Sequence, residues 1–319
     1  MNSKAEWNLF KTSPLETAAN IPVFSTMDNY IENYQKIALD HLHAARPGEE
    51  NPFMEEALWE KLEDSTRRLI TKHILPGSKI LDVGVGLGRV IGPLKSFDRH
   101  GIDISLDYLL KAREKGINVC MSKIEDMPYR DNLFDAVVVC DVLEHVFDLN
   151  ACCENILRVL KPGGTLIIRV PFKEDLDVYL RDDLPYEYIH LRSFDAASLR
   201  LLFSKVFKLD YIESSTVVPY LQGAPRLKLQ LLPETTRNEL YTLIDAVWPK
   251  ESIFRRIFSK LTGHVAERHP LTFLRGAVDH SSEDLVNWIY KLRDEDPNSY
   301  AKVEALLVHG IEINAVFRK

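Results

Sequence analysis

The chain has 319 residues, of which 45% are hydrophobic and 27% charged, and this composition is that of an ordinary globular protein. Its formal net charge of −7 counts against a broad nucleic-acid-binding surface. No segment approaches the roughly 18 apolar residues that a membrane span needs, and the N-terminus lacks the apolar core of a signal peptide. Because the four cysteines include no Cys-x-x-Cys pair, we expect reduced thiols and a cytoplasmic protein.

The first 75 residues are predicted to form a helical preface. Residues 1–25 show no clear period and are expected to lie across the fold without regular structure. Over 27–45 the apolar residues step by three and four positions, which is the pattern of a helix with one buried face. A second helix is predicted from Pro52, which follows a capping Asn51, to about His73.

Three alternate glycines follow the first predicted strand of the chain, which ends at Leu81. Gly84, Gly86 and Gly88 allow the backbone to turn sharply and to lie against a ligand where a Cβ would collide. The apolar residues from Val90 onward begin a helical pattern. A strand, a glycine turn and a helix in this order are typical of a nucleotide-cofactor site.

The spacing of the glycines bears on which cofactor binds. The dinucleotide fingerprint is Gly-x-Gly-x-x-Gly, and its third glycine would fall at position 89, where this chain has Arg89. The spacing therefore disfavours a nicotinamide oxidoreductase.

Strands and helices alternate from Ser78 onward, which predicts a parallel sheet with helices on both faces. The second strand of this series ends at Asp103, and Ser105 is a plausible helix cap after it. At that position in nucleotide-binding α/β folds an acidic side chain accepts two hydrogen bonds from a ribose diol. The alternative for Asp103 is a carboxylate that only caps the helix.

Five motifs, in this order, resemble those of class I S-adenosylmethionine-dependent methyltransferases. The branch they resemble is the small-molecule, ubiquinone-biosynthesis-like one (type 11). The motifs are Leu-Asp-Val-Gly-Val-Gly-Leu-Gly at 81–88, His-Gly-Ile-Asp-Ile-Ser at 100–105, Glu-Asp-Met-Pro-Tyr at 125–129, Phe-Asp-Ala-Val-Val-Val at 134–139 with Asp-Val-Leu-Glu-His-Val at 141–146, and the turn Lys-Pro-Gly-Gly at 161–164. The resemblance covers about residues 76–215.

The resemblance implies an α/β fold with a doubly wound, mainly parallel, seven-stranded Rossmann-like sheet in the order 3-2-1-4-5-7-6. Residues 76–319 would form the methyltransferase domain, and the alternating residues 311–317 look like its seventh strand. Residues 216–308 would then be a mainly helical insertion between strands 6 and 7. We expect this insertion to form a lid over the acceptor.

The resemblance implies that S-adenosylmethionine is the cofactor. It also implies that eight residues form the cofactor site: Asp82, Gly84, Gly86, Gly88, Asp103, Ile104, Ile124 and Cys140. One position departs from the family, because Lys123 stands where an acidic residue usually faces the adenine amino group. A cation cannot accept that hydrogen bond. Lys123 is therefore expected to turn toward solvent or toward an acidic neighbour such as Glu125 or Asp126.

Two histidines are candidate bases for methyl transfer. His145 follows the fourth strand at the mouth of the cofactor cleft, and His190 lies in an aromatic, polar loop after the fifth strand. An imidazole near its ordinary pKa suits proton transfer at neutral pH. The alternatives are a helix-entry residue bonded to backbone for His145 and a loop-structuring role for His190. Three further loop residues are predicted to contact the substrate: Tyr186, Tyr188 and Arg192, the last through an anionic group of the acceptor.

The segment after the fourth strand also resembles a metal-binding set. Asp141, Glu144 and His145 follow the Glu-x-x-Glu-His pattern by which some quinone-pathway O-methyltransferases bind magnesium. Because metal-free relatives carry such residues too, no metal is predicted.

The sequence thus predicts O-methylation of a small molecule or glycan, without nucleic acid as a partner. An N- or C-methyltransferase on the same fold remains an alternative, as does a non-catalytic module that binds S-adenosylmethionine. The polar loop with His190 and Arg192 favours an enzyme.

Overall fold

The structure, a computed structural model, describes residues 7–44, 56–174, 176–180, 184, 186, 187, 189–217, 238–243, 292, 295–299, 302 and 311–319. Its main feature is a sheet of nine strands: β1 (Glu16–Ala18), β2 (Ile21–Val23), β3 (Lys79–Val83), β4 (Asp98–Asp103), β5 (Asn118–Met121), β6 (Phe134–Cys140), β7 (Leu160–Pro171), β8 (Asp210–Val217) and β9 (Glu312–Arg318). Their order in the sheet is β1-β2-β5-β4-β3-β6-β7-β9-β8.

The central strands from β2 to β7 pair in parallel, and β9 runs antiparallel to both β7 and β8. Counted from β3, the strand order is 3-2-1-4-5-7-6. The predicted count of seven strands is wrong, because β1 and β2 add two strands beyond β5.

The two extra strands lie in the segment that was expected to lack regular structure. Ala19 and Asn20 both have positive φ (47° and 63°), which is the geometry of a two-residue hairpin turn between β1 and β2. Ile21 and Val23 are buried on one side of β2, and Val23 pairs with Met121 of β5. Strands of three residues are too short for their alternation to stand out in the sequence, and this explains the missed prediction.

Side chains from the central strands alternate between two hydrophobic cores, as the two-residue period of a strand requires. Leu81, Val139 and Ile168 belong to one core, and Ile80, Val138 and Ile167 belong to the other. The carboxyl ends of the parallel strands β3, β4 and β6 meet at one edge of the sheet. The residues that follow these strands therefore come together there.

In the described part of residues 1–217, the α-helices are α1 (Asn29–Ala44), α2 (Glu56–His73), α3 (Leu106–Glu114), α4 (Leu149–Val159) and α5 (Ala196–Arg200). The Asp28 carboxylate caps α1 by accepting from the Ile31 amide at 3.0 Å. None of the described helices is both long enough and apolar enough to cross a bilayer. All four cysteines are buried free thiols.

The helix predicted from Val90 onward is absent from the described structure. Residues 84–97 form a succession of turns before β4 begins. Gly92 and Pro93 account for this, because proline lacks an amide donor and disfavours the helical conformation of the residue before it. In this stretch one backbone hydrogen bond has the four-residue spacing of an α-helix, from the Gly92 amide to the Gly88 carbonyl at 3.1 Å.

The chain divides into two compact units, residues 1–217 with 312–319 and residues 218–311. The second unit corresponds closely to the predicted insertion 216–308. Its described residues are helical at 238–243 and 297–299, and Asp296 caps the latter segment by accepting from the Ser299 amide at 3.1 Å. The other helical patterns that the sequence predicts for the insertion lie mainly outside the described residues. The role of the insertion as a lid stays a prediction.

Candidate active site

The glycine loop, residues 84–88, leaves the end of β3 and is fixed by the neighbouring strand. The Gly84 and Val85 amides donate to the Ile102 carbonyl of β4 at 2.8 and 3.0 Å. Gly84 has a φ of 72°, and a Cβ added there would lie 2.3 Å from a methyl carbon of Val142. Only glycine therefore allows the loop to pack against the segment that follows β6. A Cβ on Gly86 would meet no atom closer than 4.0 Å, so this part of the loop faces open space.

Asp103, at the end of β4, lies beside the glycine loop. One carboxylate oxygen accepts from the Gly86 amide at 2.8 Å, and the other accepts from the Ser105 amide at 2.9 Å. Burial raises the pKa of Asp103, and these two bonds act against that shift. The helix cap itself is Ser105, whose hydroxyl accepts from the Tyr108 amide at 3.4 Å. Each oxygen of Asp103 retains a second lone pair for a ligand hydroxyl.

The other residues assigned to the cofactor lie at the same edge of the sheet. Asp82 in β3 is buried, and burial raises its pKa well above the usual range of a carboxyl. Cys140 ends β6 and is also buried. Ile104 follows Asp103 and is half-buried, whereas Ile124 is buried after β5.

Lys123 does not pair with either of the acidic neighbours that were predicted for it. Its ammonium contacts the Asp28 carboxylate at the start of α1, and this contact lowers the pKa of Asp28. The Lys123 amide donates to the Ser25 hydroxyl at 2.9 Å, and that hydroxyl lies 2.9 Å from Asp126. The N-terminal segment therefore binds the loop after β5 and supplies the partner for Lys123.

Arg89, at the position that excludes the dinucleotide fingerprint, ties helix α2 to the glycine loop. Its guanidinium lies 2.5 Å from the buried Glu63 carboxylate and 5.2 Å from the centre of the Trp59 ring. The Arg89 carbonyl accepts from Arg67 at 3.0 Å. The sequence prediction missed Trp59 and Glu63, because the amphipathic pattern of α2 assigned it only a packing role.

The segment after β6 carries the first part of a second polar group. Asp141 has a φ of 54°, in the left-handed region that favours glycine. Glu144 is completely buried, and neither of its carboxyl oxygens has a hydrogen-bond partner. Burial, and then the nearby Asp141, raise the pKa of Glu144 well above its usual range.

His145 has one nitrogen committed to the backbone. Its Nδ1 lies 2.8 Å from the Ile189 carbonyl and must donate to it, so Nε2 carries the lone pair of the neutral ring. Burial lowers the pKa of His145 to about 4. Nε2 lies 3.8 Å from a carboxyl oxygen of Glu144.

His190 lies against His145, with ring centres 4.6 Å apart. The Nδ1 atom of His190 contacts the Glu174 carboxylate and lies 3.2 Å from the Tyr179 hydroxyl. That hydroxyl donates to Glu174 at 2.6 Å. We call Glu144, His145, Glu174, Tyr179 and His190 the imidazole cluster.

Helix α1 adds an aromatic wall to the imidazole cluster. The Tyr34 ring meets His145 edge-on at 5.4 Å, and Tyr34 donates to the Ile189 carbonyl at 3.5 Å. Tyr30 stacks at a tilt against Tyr34, with centres 4.9 Å apart. The helical pattern over 27–45 predicts that both tyrosines lie on a buried helix face. No feature of the sequence indicates which histidine they contact.

Two of the three predicted substrate residues are described, and both contact protein groups. Arg192 donates to the Leu143 carbonyl at 2.9 Å and also to the carbonyls of Val146 and Phe147, so its guanidinium stabilises the loop after β6. Its contact with an anionic group of the acceptor stays a prediction. Tyr186 donates to Asp40 of α1 at 2.9 Å, and Tyr188 lies outside the described residues.

A buried arginine on β7 was missed entirely. Arg169 donates to the Asp141 carboxylate at 2.6 Å and lies 2.5 Å from the Glu312 carboxylate of β9. It also contacts the Thr66 hydroxyl of α2 at 3.3 Å. Because its carboxylate is held in this way, Asp141 is not part of the group of possible metal ligands that the described residues bring together. Among the described residues, Glu144, His145 and His190 are the group whose ligand atoms all lie within 4.8 Å of one another.

The glycine loop and Asp103 fit a nucleoside with a ribose diol. Free lone pairs on Asp103 face a loop with open space above Gly86, and the buried Ile124 offers an apolar surface near the same edge. No dinucleotide geometry is present, because Arg89 occupies the third glycine position and the loop leads into turns instead of a helix.

Comparison with known proteins agrees with this geometry. Residues 81–168 match the family described as a methyltransferase domain. The tRNA (carboxymethyluridine(34)-5-O)-methyltransferase of Arabidopsis thaliana is 36% identical over 107 residues, which are 33% of this chain and 26% of that protein. The ubiquinone/menaquinone biosynthesis C-methyltransferase of Shewanella halifaxensis is 35% identical over 106 residues, which are 29% of this chain and 42% of that protein.

A solved structure shows a similar fold over almost the whole chain. It is the complex between the Haloferax volcanii Trm112 methyltransferase activator and a methyltransferase, with a TM-score of 0.51 and 15% identity over 92% of this chain and 99% of the matched one. In sequence, the chain spans about half the length, 47% and 56%, of two further curated relatives.

Proposed function

Because the chain belongs to the class I S-adenosylmethionine-dependent methyltransferases of the type 11 branch, we propose that it transfers a methyl group to an oxygen of a small molecule or glycan. The observation that carries the proposal is the contact of Gly84 with Val142. It brings the loop that would hold the donor against the segment that bears Glu144 and His145. The groups that we assign to donor and acceptor would then lie at one edge of the sheet.

Asp103 would hold the donor by accepting hydrogen bonds from its ribose hydroxyls. The glycine loop would follow the ligand closely, and Ile124 would pack against the adenine. When bound, S-adenosylmethionine supplies an electrophilic methyl group on a sulfonium. The remaining task of the protein is to align the acceptor oxygen and to take up its proton.

The imidazole cluster supports an acceptor that must lose a proton. His145 keeps its Nε2 lone pair at pH 7, because its pKa is lowered to about 4, so it would accept a hydrogen bond from the acceptor hydroxyl but is a weaker base than the imidazole of ordinary pKa that the sequence predicts. Glu144 is buried without a partner, so the cluster retains unused acceptor capacity. A module that only binds the cofactor would have no use for such groups, which cost free energy when buried unpaired.

The acceptor atom is the finer part of this proposal. The similar proteins carry names for transfer to oxygen, nitrogen and carbon, so these names do not decide the acceptor atom. A hydroxyl is favoured because a carboxyl and an imidazole can both hydrogen-bond to it. Arg192 donates to main-chain carbonyls, so the proposal does not depend on an anionic group of the acceptor.

The proposal is tested with methyl-labelled S-adenosylmethionine and a panel of acceptors. The panel contains phenols, sugar hydroxyls, carboxylates, amines and enolisable carbons, and product mass and S-adenosylhomocysteine release are both measured. We expect turnover with a hydroxyl acceptor, and at least tenfold slower turnover in the Asp103→Ala variant when the donor concentration is below saturation. Transfer to an amine or a carbon alone would contradict the oxygen assignment, and S-adenosylmethionine binding without turnover of any acceptor would contradict the enzyme.

A further inference from the structure

We propose that Glu144, His145 and His190 form a binding site for one divalent transition-metal ion, of which Zn²⁺ is the reference case. Each of the three offers a ligand atom, and these atoms lie within 4.8 Å of one another. The inference goes beyond the proposed methyl transfer and does not depend on it, because ion binding is measured without turnover.

The carboxyl group of Glu144 is the observation that points to a ligand. It is 0% exposed, and both of its oxygens lack a hydrogen-bond partner. Its charged neighbours include the acidic groups Asp141, Glu174 and Glu312. A buried carboxylate without a partner costs several kcal/mol, and a bound cation removes that cost. An ordinary core position would not hold this group.

The second observation is the way both imidazoles are oriented. Metal-bound histidines almost always donate their other nitrogen to a carbonyl or a carboxylate. His145 uses Nδ1 on the Ile189 carbonyl at 2.8 Å, and His190 uses Nδ1 on the Glu174 carboxylate. In both rings Nε2 is therefore the nitrogen that remains for an ion, and the ring centres are 4.6 Å apart.

The ligand types decide the class of ion. Two imidazole nitrogens and one carboxylate are the protein ligands of many catalytic zinc sites and of the two-histidine, one-carboxylate sites of other first-row metals. Magnesium prefers oxygen ligands, and Asp141, an oxygen ligand in the magnesium-binding pattern that the sequence resembles, is instead bound by Arg169 at 2.6 Å. The proposed site therefore differs from that pattern in both its residues and its ion.

Three protein ligands leave at least one coordination position of a zinc-type ion open. A hydroxyl oxygen bound there would lose its proton more readily. With an ion present, the two Nε2 atoms act as ligands and no longer as bases. Chelation then separates the two uses of the imidazole cluster, since removing the ion stops an ion-assisted reaction and leaves a free-imidazole reaction intact.

The experiment is a calorimetric titration of tag-free, chelator-treated protein with zinc chloride at neutral pH. A parallel titration with cobalt chloride is followed by its visible ligand-field bands. We expect one ion per chain. Glu144→Gln and His190→Gln should each weaken zinc binding at least tenfold, and Glu174→Gln, which changes the partner of His190 and Tyr179 but removes no ligand of the ion, should weaken it about 10–100-fold.

Matched controls are Glu154→Gln and His43→Gln, which change exposed residues of the same types and should leave the zinc affinity unchanged. Circular dichroism and S-adenosylmethionine titration on every variant check that the fold and the donor site are intact. Zinc binding by wild type that is equal in Glu144→Gln would overturn the proposal. So would a folded, donor-binding wild type that takes up no zinc or cobalt.

Discussion

The glycine loop with Asp103 and the imidazole cluster satisfy their polar groups to different degrees. Around the glycine loop, each carboxylate oxygen of Asp103 already accepts an amide hydrogen, and the loop amides bond to β4. In the imidazole cluster, Glu144 is buried with both oxygens unpartnered. The polar groups around the glycine loop are therefore paired by the protein itself, whereas both carboxyl oxygens of Glu144 remain unpaired in the described part of the protein.

The difference follows from how far apart in the chain the contributing residues lie. The glycine loop and Asp103 come from one short stretch, residues 82–103, at the ends of adjacent parallel strands. The imidazole cluster draws on three separate segments between residues 144 and 190, and helix α1 adds Tyr34 beside it through a bond to the Ile189 carbonyl that spans 155 positions. We infer that the donor site is set by a local motif, whereas the acceptor site can change by altering any one of those segments.

The largest expected effect is a loss of stability when Arg169, which pairs with Asp141 and Glu312, is replaced. Replacing Arg169 by methionine would leave the buried Glu312 carboxylate uncompensated and the partly exposed Asp141 without its partner, and should lower the free energy of unfolding by about 3–5 kcal/mol. Arg68→Met, at an exposed position of α2, should change it by less than about 0.5 kcal/mol. Denaturant unfolding measures both. Equal stabilities would show that the Arg169 network does not hold this side of the site.

The next effect tests the contact between the two regions. Gly84→Ala places a Cβ at a φ of 72° and 2.3 Å from Val142. The left-handed backbone should cost about 1–2 kcal/mol, and the close contact about 1–3 kcal/mol more. Gly77→Ala, at a φ of 87° with no atom within 4 Å, isolates the backbone cost.

Adding Val142→Ala to Gly84→Ala should restore the contact part of the lost stability and leave the backbone part. Chemical denaturation of the four proteins of this cycle gives the coupling free energy directly. If Gly84→Ala is no worse than Gly77→Ala, the glycine loop does not pack against the segment after β6.

A smaller effect concerns donor affinity alone. Asp103→Ala removes two charge-assisted hydrogen bonds to the ribose and should weaken S-adenosylmethionine binding at least tenfold, by about 1.4 kcal/mol or more. Asp107→Ala, in the first turn of α3, should leave the affinity unchanged. Calorimetry on both variants is the check. An unchanged affinity in Asp103→Ala would place the ribose elsewhere.

The smallest effect is expected at Lys123. Its ion pair with Asp28 is partly exposed, so Lys123→Ala should cost less than about 1 kcal/mol of stability. Because two hydrogen-bond donors cannot satisfy each other, Lys123 should not contact the adenine amino group, and donor affinity should stay within about threefold. A tenfold loss of affinity, measured by titration, would mean that Lys123 takes part in the donor site.

The sequence carries the donor site because its signals are local. Gly84, Gly86 and Asp103 lie close together in the chain, and their spacing alone indicates a turn beside a strand end. The parallel sheet follows from the alternation of apolar runs and helical periods. Its two N-terminal strands escaped prediction because three residues show too little alternation.

The acceptor side depends on contacts that no spacing reveals. Arg169 meets Thr66 across 103 positions, and Glu174 approaches His190 within a loop without a regular period. Arg192 is a further example, because its residue type suits an anion, and its three bonds to main-chain carbonyls could not be predicted from the sequence. Such roles depend on tertiary packing and become visible only in the folded chain.

The most direct test of this account is a crystal structure of the protein with S-adenosylhomocysteine. We predict that both ribose hydroxyls lie within hydrogen-bond distance of the Asp103 carboxylate, and that the sulfur faces the imidazole cluster. A ligand whose ribose lies away from Asp103, or whose sulfur points away from His145 and His190, would contradict the division of the site into a donor region and an acceptor region.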